Sequence, residues 1–200
     1  MKNDIILAGV GGQGILSIAA IIGYVAVHAG MYLKQAEVHG MSQRGGDVQS
    51  HLRIADKPIF SDLIPFGGAD MILSVEPMEA LRYLPYLAPQ GWLITNTTPF
   101  KNIANYPNDA ALLKEITALP QHVALDADTM ASELGSAQSA NMVMLGAAAP
   151  FLDLAFEQLQ EGIRFLFERK GAKVVTANLN ALAAGRSVAE QHRRSASVTP

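Results

Sequence analysis

The chain has 200 residues, of which 50% are hydrophobic and 16% are charged, and its formal net charge is -3. This length and hydrophobic content suffice for one domain with a sizeable core, whereas the slight negative charge, without a run of lysine or arginine, excludes a clustered basic surface for nucleic acid. Because the chain has no cysteine, it holds neither a disulfide nor a cysteine-ligated zinc or iron–sulfur centre.

The start of the chain predicts a strand, a glycine-rich turn and a helix. Asp4–Ala8 is a buried strand, and Ile15–Ala29 is an apolar helix that ends at Gly30. No basic segment precedes the strand, so we predict no signal peptide and a cytoplasmic location. The helix is too short to span a membrane, and it is apolar on all sides. Together with the low charged fraction, it predicts a protein interface, including a homodimer of the isolated chain.

Strands and helices alternate through the rest of the chain. Tyr32–Glu37 is the second predicted strand and completes a β-α-β unit. Residues 48–54 alternate between apolar and polar side chains, which predicts a strand with one wet face that pairs with Ile59-Phe60. Three further strands are predicted at 71–75, 92–96 and 122–125, with helices after Glu76, at 110–119, at 141–149, at 152–166 and after Gly171.

These elements predict a single α/β domain with a Rossmann-like architecture. The central sheet is doubly wound and mainly parallel, with helices on both of its faces. The domain is expected to occupy residues 1–185, and residues 186–200 are expected to form a flexible C-terminal tail. Glu76 and Glu79 flank Pro77 in the way that is typical of a helix N-terminus, which we favour over a catalytic carboxylate pair.

The turn Gly9-Val10-Gly11-Gly12-Gln13-Gly14 is the first candidate binding site. Its glycines permit positive φ and close approach of the backbone, and the helix behind it presents unpaired N–H groups. The glycine spacing matches a dinucleotide-binding fingerprint, for which Glu37 would hold the adenosine ribose. Three interpretations stay open at this point: a site for NAD or FAD, a contact with another ligand or a partner protein, and a turn with only a structural role.

A second candidate, Ser42-Gln43-Arg44-Gly45-Gly46, follows the second strand and therefore lies at the same carboxyl edge of the sheet. Arg44 beside two glycines can present a guanidinium group and bare N–H groups to a phosphate, a carboxylate or a partner. The five histidines lack metal-ligand spacing, and the chain has neither a phosphate-binding P-loop nor a nucleophile elbow. We therefore predict no catalytic residue and no metal site in this chain.

These two glycine motifs, together with Asn141-Met142-Val143-Met144-Leu145-Gly146-Ala147 near a late helix, resemble the gamma domain of the 2-oxoacid:ferredoxin oxidoreductases, and in particular its indolepyruvate type. The resemblance runs from Asp4 to about Gly185. It implies the small (beta or gamma) subunit of an enzyme that oxidatively decarboxylates an aryl 2-oxoacid to an acyl-CoA and reduces ferredoxin.

The resemblance also implies where the cofactors lie. A larger partner subunit would carry thiamine diphosphate and 4Fe-4S clusters, coenzyme A would be a co-substrate, and this chain would carry no cofactor. The lack of cysteine agrees with that arrangement. The residues expected to contact coenzyme A or the partner subunit are Gly9, Gly11, Gly12, Gln13, Gly14, Arg44, Gly45 and Gly46.

Overall fold

The centre of the molecule is a six-stranded sheet. The computed structural model describes residues 1–39 and 46–196, and its strands are β1 (Lys2–Val10), β2 (Tyr32–His39), β3 (Asp47–Ala55), β4 (Ala69–Ser74), β5 (Leu87–Asn96) and β6 (His122–Leu125). Their order in the sheet is β2-β3-β1-β4-β5-β6. β1, β4, β5 and β6 are parallel, and β3 runs antiparallel to both of its neighbours. The predicted α/β fold with a mainly parallel sheet is confirmed.

Helices cover both faces of this sheet. They are α1 (Ile15–His28), α2 (Pro77–Arg82), α3 (Asp109–Thr117), α4 (Ala127–Glu133), α5 (Ala140–Ala148), α6 (Phe156–Phe167) and α7 (Ala172–Ala196). Alternate residues of β1 point to opposite faces, so that Ile5 and Leu7 join the core under α1, α5, α6 and α7, whereas Ile6 and Ala8 join the core under α2 and α3. No helix in residues 1–39 and 46–196 is long and apolar enough to cross a membrane.

The pairing predicted for residues 48–54 is wrong. β3 pairs with β1 on one side and with β2 on the other, and Ile59-Phe60 forms no strand. β3 takes this inner position because both of its faces are buried: Leu52 enters the core, and His51 on the face predicted to be wet is only 2% exposed. The chain after β3 covers that face, and the Ile64 N–H donates to His51 Nδ1 at 3.0 Å.

The apolar surface of α1 is covered mainly by this chain itself. We expected a second protein to cover the helix, but α5 and α6 pack on it. Gly162 of α6 permits this close packing, since a Cβ atom there would lie 3.0 Å from Cγ2 of Ile21. Leu16 and Val27 are large α1 residues that stay more than half exposed, at 53% and 57%. The C-terminal helices supply the cover that sequence pattern alone assigned to a partner.

α7 continues past the predicted boundary at Gly185. The helix runs to Ala196, Ala189 is fully buried, and Arg193 donates to the Pro150 carbonyl oxygen at 2.8 Å. Gly185 therefore does not end the helix. It lies inside α7 against Val143 of α5, where a Cβ atom would overlap the Val143 carbonyl oxygen. The tail that we expected to begin at residue 186 is helical up to Ala196, and residues 197–200 lie outside the described part.

The buried His51 imidazole should make stability depend on pH. Burial, and secondly the Arg53 guanidinium, hold its pKa below the ordinary value of 6.5. As pH falls, the unfolded chain therefore takes up a proton at His51 before the folded chain does. The free energy of unfolding keeps its full contribution from His51 above pH 6.5 and loses it as pH falls through the folded pKa. We expect His51→Gln to flatten the fall in unfolding free energy between pH 7 and the folded pKa, measured by urea denaturation. Identical pH profiles for the two proteins would contradict this assignment.

Candidate functional site at the carboxyl edge of the sheet

The glycine turn lies where the sheet changes the face on which its helices pack. β1 leads into α1 on one face, and the neighbouring strand β4 leads into α2 on the other. β1 and β4 stay paired up to Ala8 and Ser74, and the chain then leaves them toward opposite faces of the sheet. A crevice therefore lies between the two connections. In open α/β sheets, ligands bind in such a crevice. The fold thus places the first predicted site at the position where its architecture favours binding.

The turn has the backbone conformation that its glycines allow. Gly12 has a φ of 104° and Gly14 a φ of 80°, in the left-handed region that strains other residues. Gly14 is the N-cap of α1 and has no side chain with which to bond the first N–H groups of the helix. Within residues 1–39 and 46–196, the N–H groups of Ile15 and Leu16 have no acceptor. They remain available to a ligand.

Gln13 and Gly9 shape the turn from inside. The Gln13 side chain accepts from the Val10 N–H at 2.8 Å and donates to the Val75 carbonyl oxygen at 3.4 Å, so it ties the end of β1 to the end of β4. Gly9 is buried, and a Cβ atom there would overlap the Val75 side chain and lie 2.9 Å from Ile15 Cδ1. The Gln13 side chain therefore fixes the position of the turn relative to β4, and the lack of a side chain at Gly9 lets Val75 and Ile15 pack closely against it.

The structure brings the two predicted glycine motifs together. The Gly11 N–H donates to the Gly46 carbonyl oxygen at 2.9 Å, which joins the turn to the start of β3. Of the second motif only Gly46 lies within the described residues, and Arg44 and Gly45 lie outside them. The contact between Gly11 and Gly46 supports our interpretation that the motifs share one edge of the sheet.

A cavity of about 450 Å³ opens beside the turn, and we call it the glycine-turn cavity. Among the residues that line it are Gly12, Gln13, Gly14, Asn96, Asp128 and Asn141. Asn96 Nδ2 donates to Asp128 Oδ2 at 2.7 Å, and Asn141 Nδ2 donates to the Gly14 carbonyl oxygen at 3.1 Å. The lining is therefore rich in side-chain amides and contains one carboxylate, which suits a neutral ligand with several hydrogen-bonding groups.

Two more cavities meet the turn at Gly14. The first, of about 360 Å³, is the lysine cavity; its lining includes Ser17, Ser136, Ser139, Lys170, Lys173 and Asn178. The second, of about 280 Å³, lies on the opposite side of the turn and is lined by Val10, Gly11, Gly12, Gly14, Ile15, Leu16 and Val48. Gly14 thus lines all three cavities. A Cβ atom at this position would overlap the Asn141 side chain.

The strand order separates Glu37 from the glycine turn. A dinucleotide site of the predicted kind needs the acidic residue at the end of the strand next to β1, but β3 occupies that place. Glu37 pairs with Ser50 of β3, which pairs with Leu7 of β1. Two strand spacings, about 10 Å, therefore lie between Glu37 and β1. This arrangement disfavours the alternative of an NAD or FAD site.

Glu76 and Glu79 form the helix N-terminus that the sequence predicted. The Glu76 carboxylate caps α2 by accepting from the Glu79 N–H at 2.8 Å, and it also accepts from the Tyr106 hydroxyl. Burial raises the pKa of the Glu79 carboxyl. The Arg82 guanidinium, which donates to this carboxylate at 2.8 Å, lowers the same pKa and so offsets part of the rise. In the described part of the chain, no three histidine or acidic side chains come together as a metal site.

Sequence reasoning missed most of the polar lining of the two larger cavities. Asn96 ends β5 and Asp128 follows β6, so polar residues after successive parallel strands were a signal that could have identified them. Asn141 belongs to the motif at residues 141–147, which predicts a helix but not a position beside the glycine turn. Lys170 lies in the short helical turn between α6 and α7, and Lys173 lies at the start of α7. Nothing in the linear pattern links either lysine to the glycine turn.

Comparison with known proteins gives the family. The model of the family "Pyruvate ferredoxin/flavodoxin oxidoreductase" matches residues 4–188. Indolepyruvate oxidoreductase subunit IorB of Archaeoglobus fulgidus is 37% identical, over 98% of this chain and 100% of that protein. The same subunit of Pyrococcus horikoshii is 37% identical over 95% of this chain and 97% of its own length. 2-Oxoglutarate synthase subunit KorC of Methanothermobacter marburgensis is 28% identical over 74% of this chain and 76% of its own.

Solved structures share the fold. The gamma subunit of a keto/oxoacid ferredoxin oxidoreductase from Geobacter sulfurreducens superposes with a TM-score of 0.69 at 22% identity, over 94% of this chain and 99% of that one. The 2-oxoglutarate:ferredoxin oxidoreductase of Magnetococcus marinus gives 0.75 at 21% identity, over 95% of this chain and 31% of that one. The relatives are subunits of oxidoreductases that act on 2-oxoacids, and the predicted resemblance is confirmed. The chain belongs to the pyruvate ferredoxin/flavodoxin oxidoreductase family.

Proposed function

We propose that the chain is the small subunit of an indolepyruvate-type 2-oxoacid:ferredoxin oxidoreductase. The observation that carries this proposal is the similarity along its whole length to indolepyruvate oxidoreductase subunits, at 37% identity to the Archaeoglobus fulgidus protein. The reaction joins an aryl 2-oxoacid and coenzyme A into an acyl-CoA, releases carbon dioxide and passes two electrons to ferredoxin. The preference for an aryl substrate rests on the names of these relatives.

The catalytic groups belong to a larger partner subunit in this proposal. Iron–sulfur clusters need cysteine thiolates, and the chain has none. A divalent metal of the kind that binds diphosphates prefers carboxylate ligands, and no cluster of three such side chains occurs in residues 1–39 and 46–196. The described residues of this chain therefore fit neither an iron–sulfur cluster nor the metal-bound diphosphate of thiamine diphosphate. Thiamine diphosphate, when bound to the partner, would supply the chemistry that cleaves the bond to the carboxylate.

The carboxyl edge is the surface that we assign to the partner or to coenzyme A. The residues given this role are those predicted from the sequence: Gly9, Gly11, Gly12, Gln13, Gly14, Arg44, Gly45 and Gly46. Leu16 supports the assignment, because it is 53% exposed and lies beside Gly12 on the lining of the smallest cavity. An exposed leucine among bare glycine backbone is suited to burial against another surface. A cytoplasmic location remains a prediction from the sequence.

Co-purification tests both the complex and the edge. A tagged copy of the full chain, expressed in its native host, should retain a larger subunit that contains thiamine diphosphate and iron–sulfur clusters. Leu16→Asp should lower the recovery of that subunit and the 2-oxoacid oxidation at least tenfold, which corresponds to about 1.4 kcal/mol of interface free energy. Its melting temperature should stay close to that of the wild type, because an acidic residue in the first turn of a helix is favourable.

Ala111→Asp is the matched control, since it adds a carboxylate to the first turn of α3 on the opposite face of the sheet. It should recover the partner at the wild-type level. If no larger subunit accompanies the wild-type chain, the function proposed here is wrong. If Leu16→Asp recovers as much partner as Ala111→Asp does, the complex stands but the glycine edge is not its interface.

A further inference from the structure

The lysine cavity carries a positive charge that the glycine turn does not explain. Lys170 and Lys173 line it, and no acidic residue does so among the described residues that surround it. The chain as a whole has a formal net charge of -3, so this local excess of positive charge opposes the overall balance. Lys170 is held near the cavity by its ammonium group, which lies 5.2 Å from the centre of the Phe167 ring.

The cavity also has side-chain hydrogen-bond donors that lack an acceptor among the described residues. The Ser136 and Ser139 hydroxyl oxygens lie 2.8 Å apart, and because one hydroxyl donates to the other, one O–H remains for a ligand. The Ser139 side chain is only 2% exposed, so the pair is anchored at one end in the packed interior. Asn178, 5% exposed, donates to the Val174 carbonyl oxygen at 2.9 Å, and its second amide N–H has no acceptor in residues 1–39 and 46–196.

The first N–H groups of α7 add to the positive potential of the lysine cavity. The N–H groups of Val174 and Val175 donate to the Gly171 carbonyl oxygen, whereas those of Ala172 and Lys173 have no acceptor within the described residues. Lys173 therefore combines a side-chain charge with the positive end of a long helix. The lysine ammonium groups, the hydroxyls and the amide together supply donors to a group with three or four oxygen atoms, more than a single carboxylate can use.

We propose that the lysine cavity binds a phosphate group. Its volume of about 360 Å³ lies near the lower end of the range of small-ligand sites, roughly 300–1,000 Å³. It shares Gly14, Gln138 and Asn141 with the amide-lined glycine-turn cavity. A phosphorylated ligand can therefore place its charged end among the lysines and extend a neutral, hydrogen-bonding part past Asn141. The site does not depend on which 2-oxoacid the complex oxidises.

Titration of the full chain with inorganic pyrophosphate tests this site by calorimetry. The wild type should bind it saturably, and Lys170→Gln/Lys173→Gln should weaken the binding at least about tenfold, as expected for lost charge-assisted hydrogen bonds. Both lysines are exposed, so the variant should keep the wild-type melting temperature. Lys57→Gln/Lys114→Gln removes the same charge from exposed positions elsewhere and should change the affinity less than twofold.

Three results would overturn the site: no saturable binding by the wild type, equal weakening in the two double variants, or malonate bound as tightly as pyrophosphate. Competition by coenzyme A separates the sources of the phosphate. If coenzyme A displaces pyrophosphate and its own binding needs the two lysines, the phosphate is part of that co-substrate. If it does not displace pyrophosphate, the cavity serves another phosphorylated compound. Neither outcome depends on co-purification of a partner.

Discussion

Gly146→Ala and Gly185→Ala should each lower the free energy of unfolding by about 3 kcal/mol, near the upper end of the cost of overpacking a core. The two glycines lie where α5 and α7 cross. A Cβ atom on Gly146 would overlap the Leu182 carbonyl oxygen, and one on Gly185 would overlap the Val143 carbonyl oxygen. The obstacle in both cases is backbone, so the helices must separate along their contact. Chemical denaturation of the full chain measures the effect.

Gly162→Ala is the control for this prediction. It also adds a methyl group at a contact between two helices, but the nearest atom is Cγ2 of the Ile21 side chain, 3.0 Å away. A side chain can shift by a few tenths of an ångström, and alanine favours a helix over glycine by about 1 kcal/mol. The variant should therefore stay within about 1 kcal/mol of the wild type. Equal losses for all three variants would show that the crossing of α5 and α7 is not unusually close.

Arg53→Met should cost about 3–5 kcal/mol, as is usual when one partner of a buried ion pair is removed. The guanidinium group of Arg53 bonds both carboxylate oxygens of Asp4, at 2.7 and 2.9 Å, and also donates to the carbonyl oxygens of Ser61 and Leu63 at 3.0 Å. The side chains of Asp4 and Arg53 are only 3% and 16% exposed. Without Arg53, the Asp4 carboxylate stays buried with the Lys2 ammonium as its remaining ion pair, at 2.8 Å.

The double variant Asp4→Leu/Arg53→Met should recover part of this loss, because it removes the buried charge along with its partner. Lys34→Met is the matched single change on the neighbouring strand. Its ion pair with Asp62 is 2.8 Å long but the two side chains are 42% and 53% exposed, so the loss should stay below about 1 kcal/mol. Losses of equal size for Arg53→Met and Lys34→Met would show that burial of the pair does not govern its contribution.

The glycine turn and the strands around it were predictable because they depend on local rules. A short apolar run followed by closely spaced glycines dictates a strand, a turn with positive φ and the start of a helix, and the structure has all three at β1, Gly12–Gly14 and α1. Pro77 and Glu79 likewise identified the start of α2. Each of these features needs only neighbours within a few residues along the chain.

The position of β3 and the length of α7 were not predictable in this way. The alternation in residues 48–54 shows that a strand exists, but not that it lies between β1 and β2, nor that the chain around Ile64 buries His51. Gly185 is typical of a helix end when it is judged along the chain. Only its contact with Val143 on α5 shows why α7 needs a glycine in its interior.

The sequence by itself determined the fold class, the family and the glycine turn, because these follow from local pattern and from similarity along residues 4–188. Tertiary structure alone decided what lies around the turn. It separated Glu37 from the glycines by inserting β3, and it joined Gly11 to Gly46. It also brought Lys170 and Lys173 to a cavity beside Gly14. These arrangements depend on how distant segments pack, which no periodicity along the chain expresses.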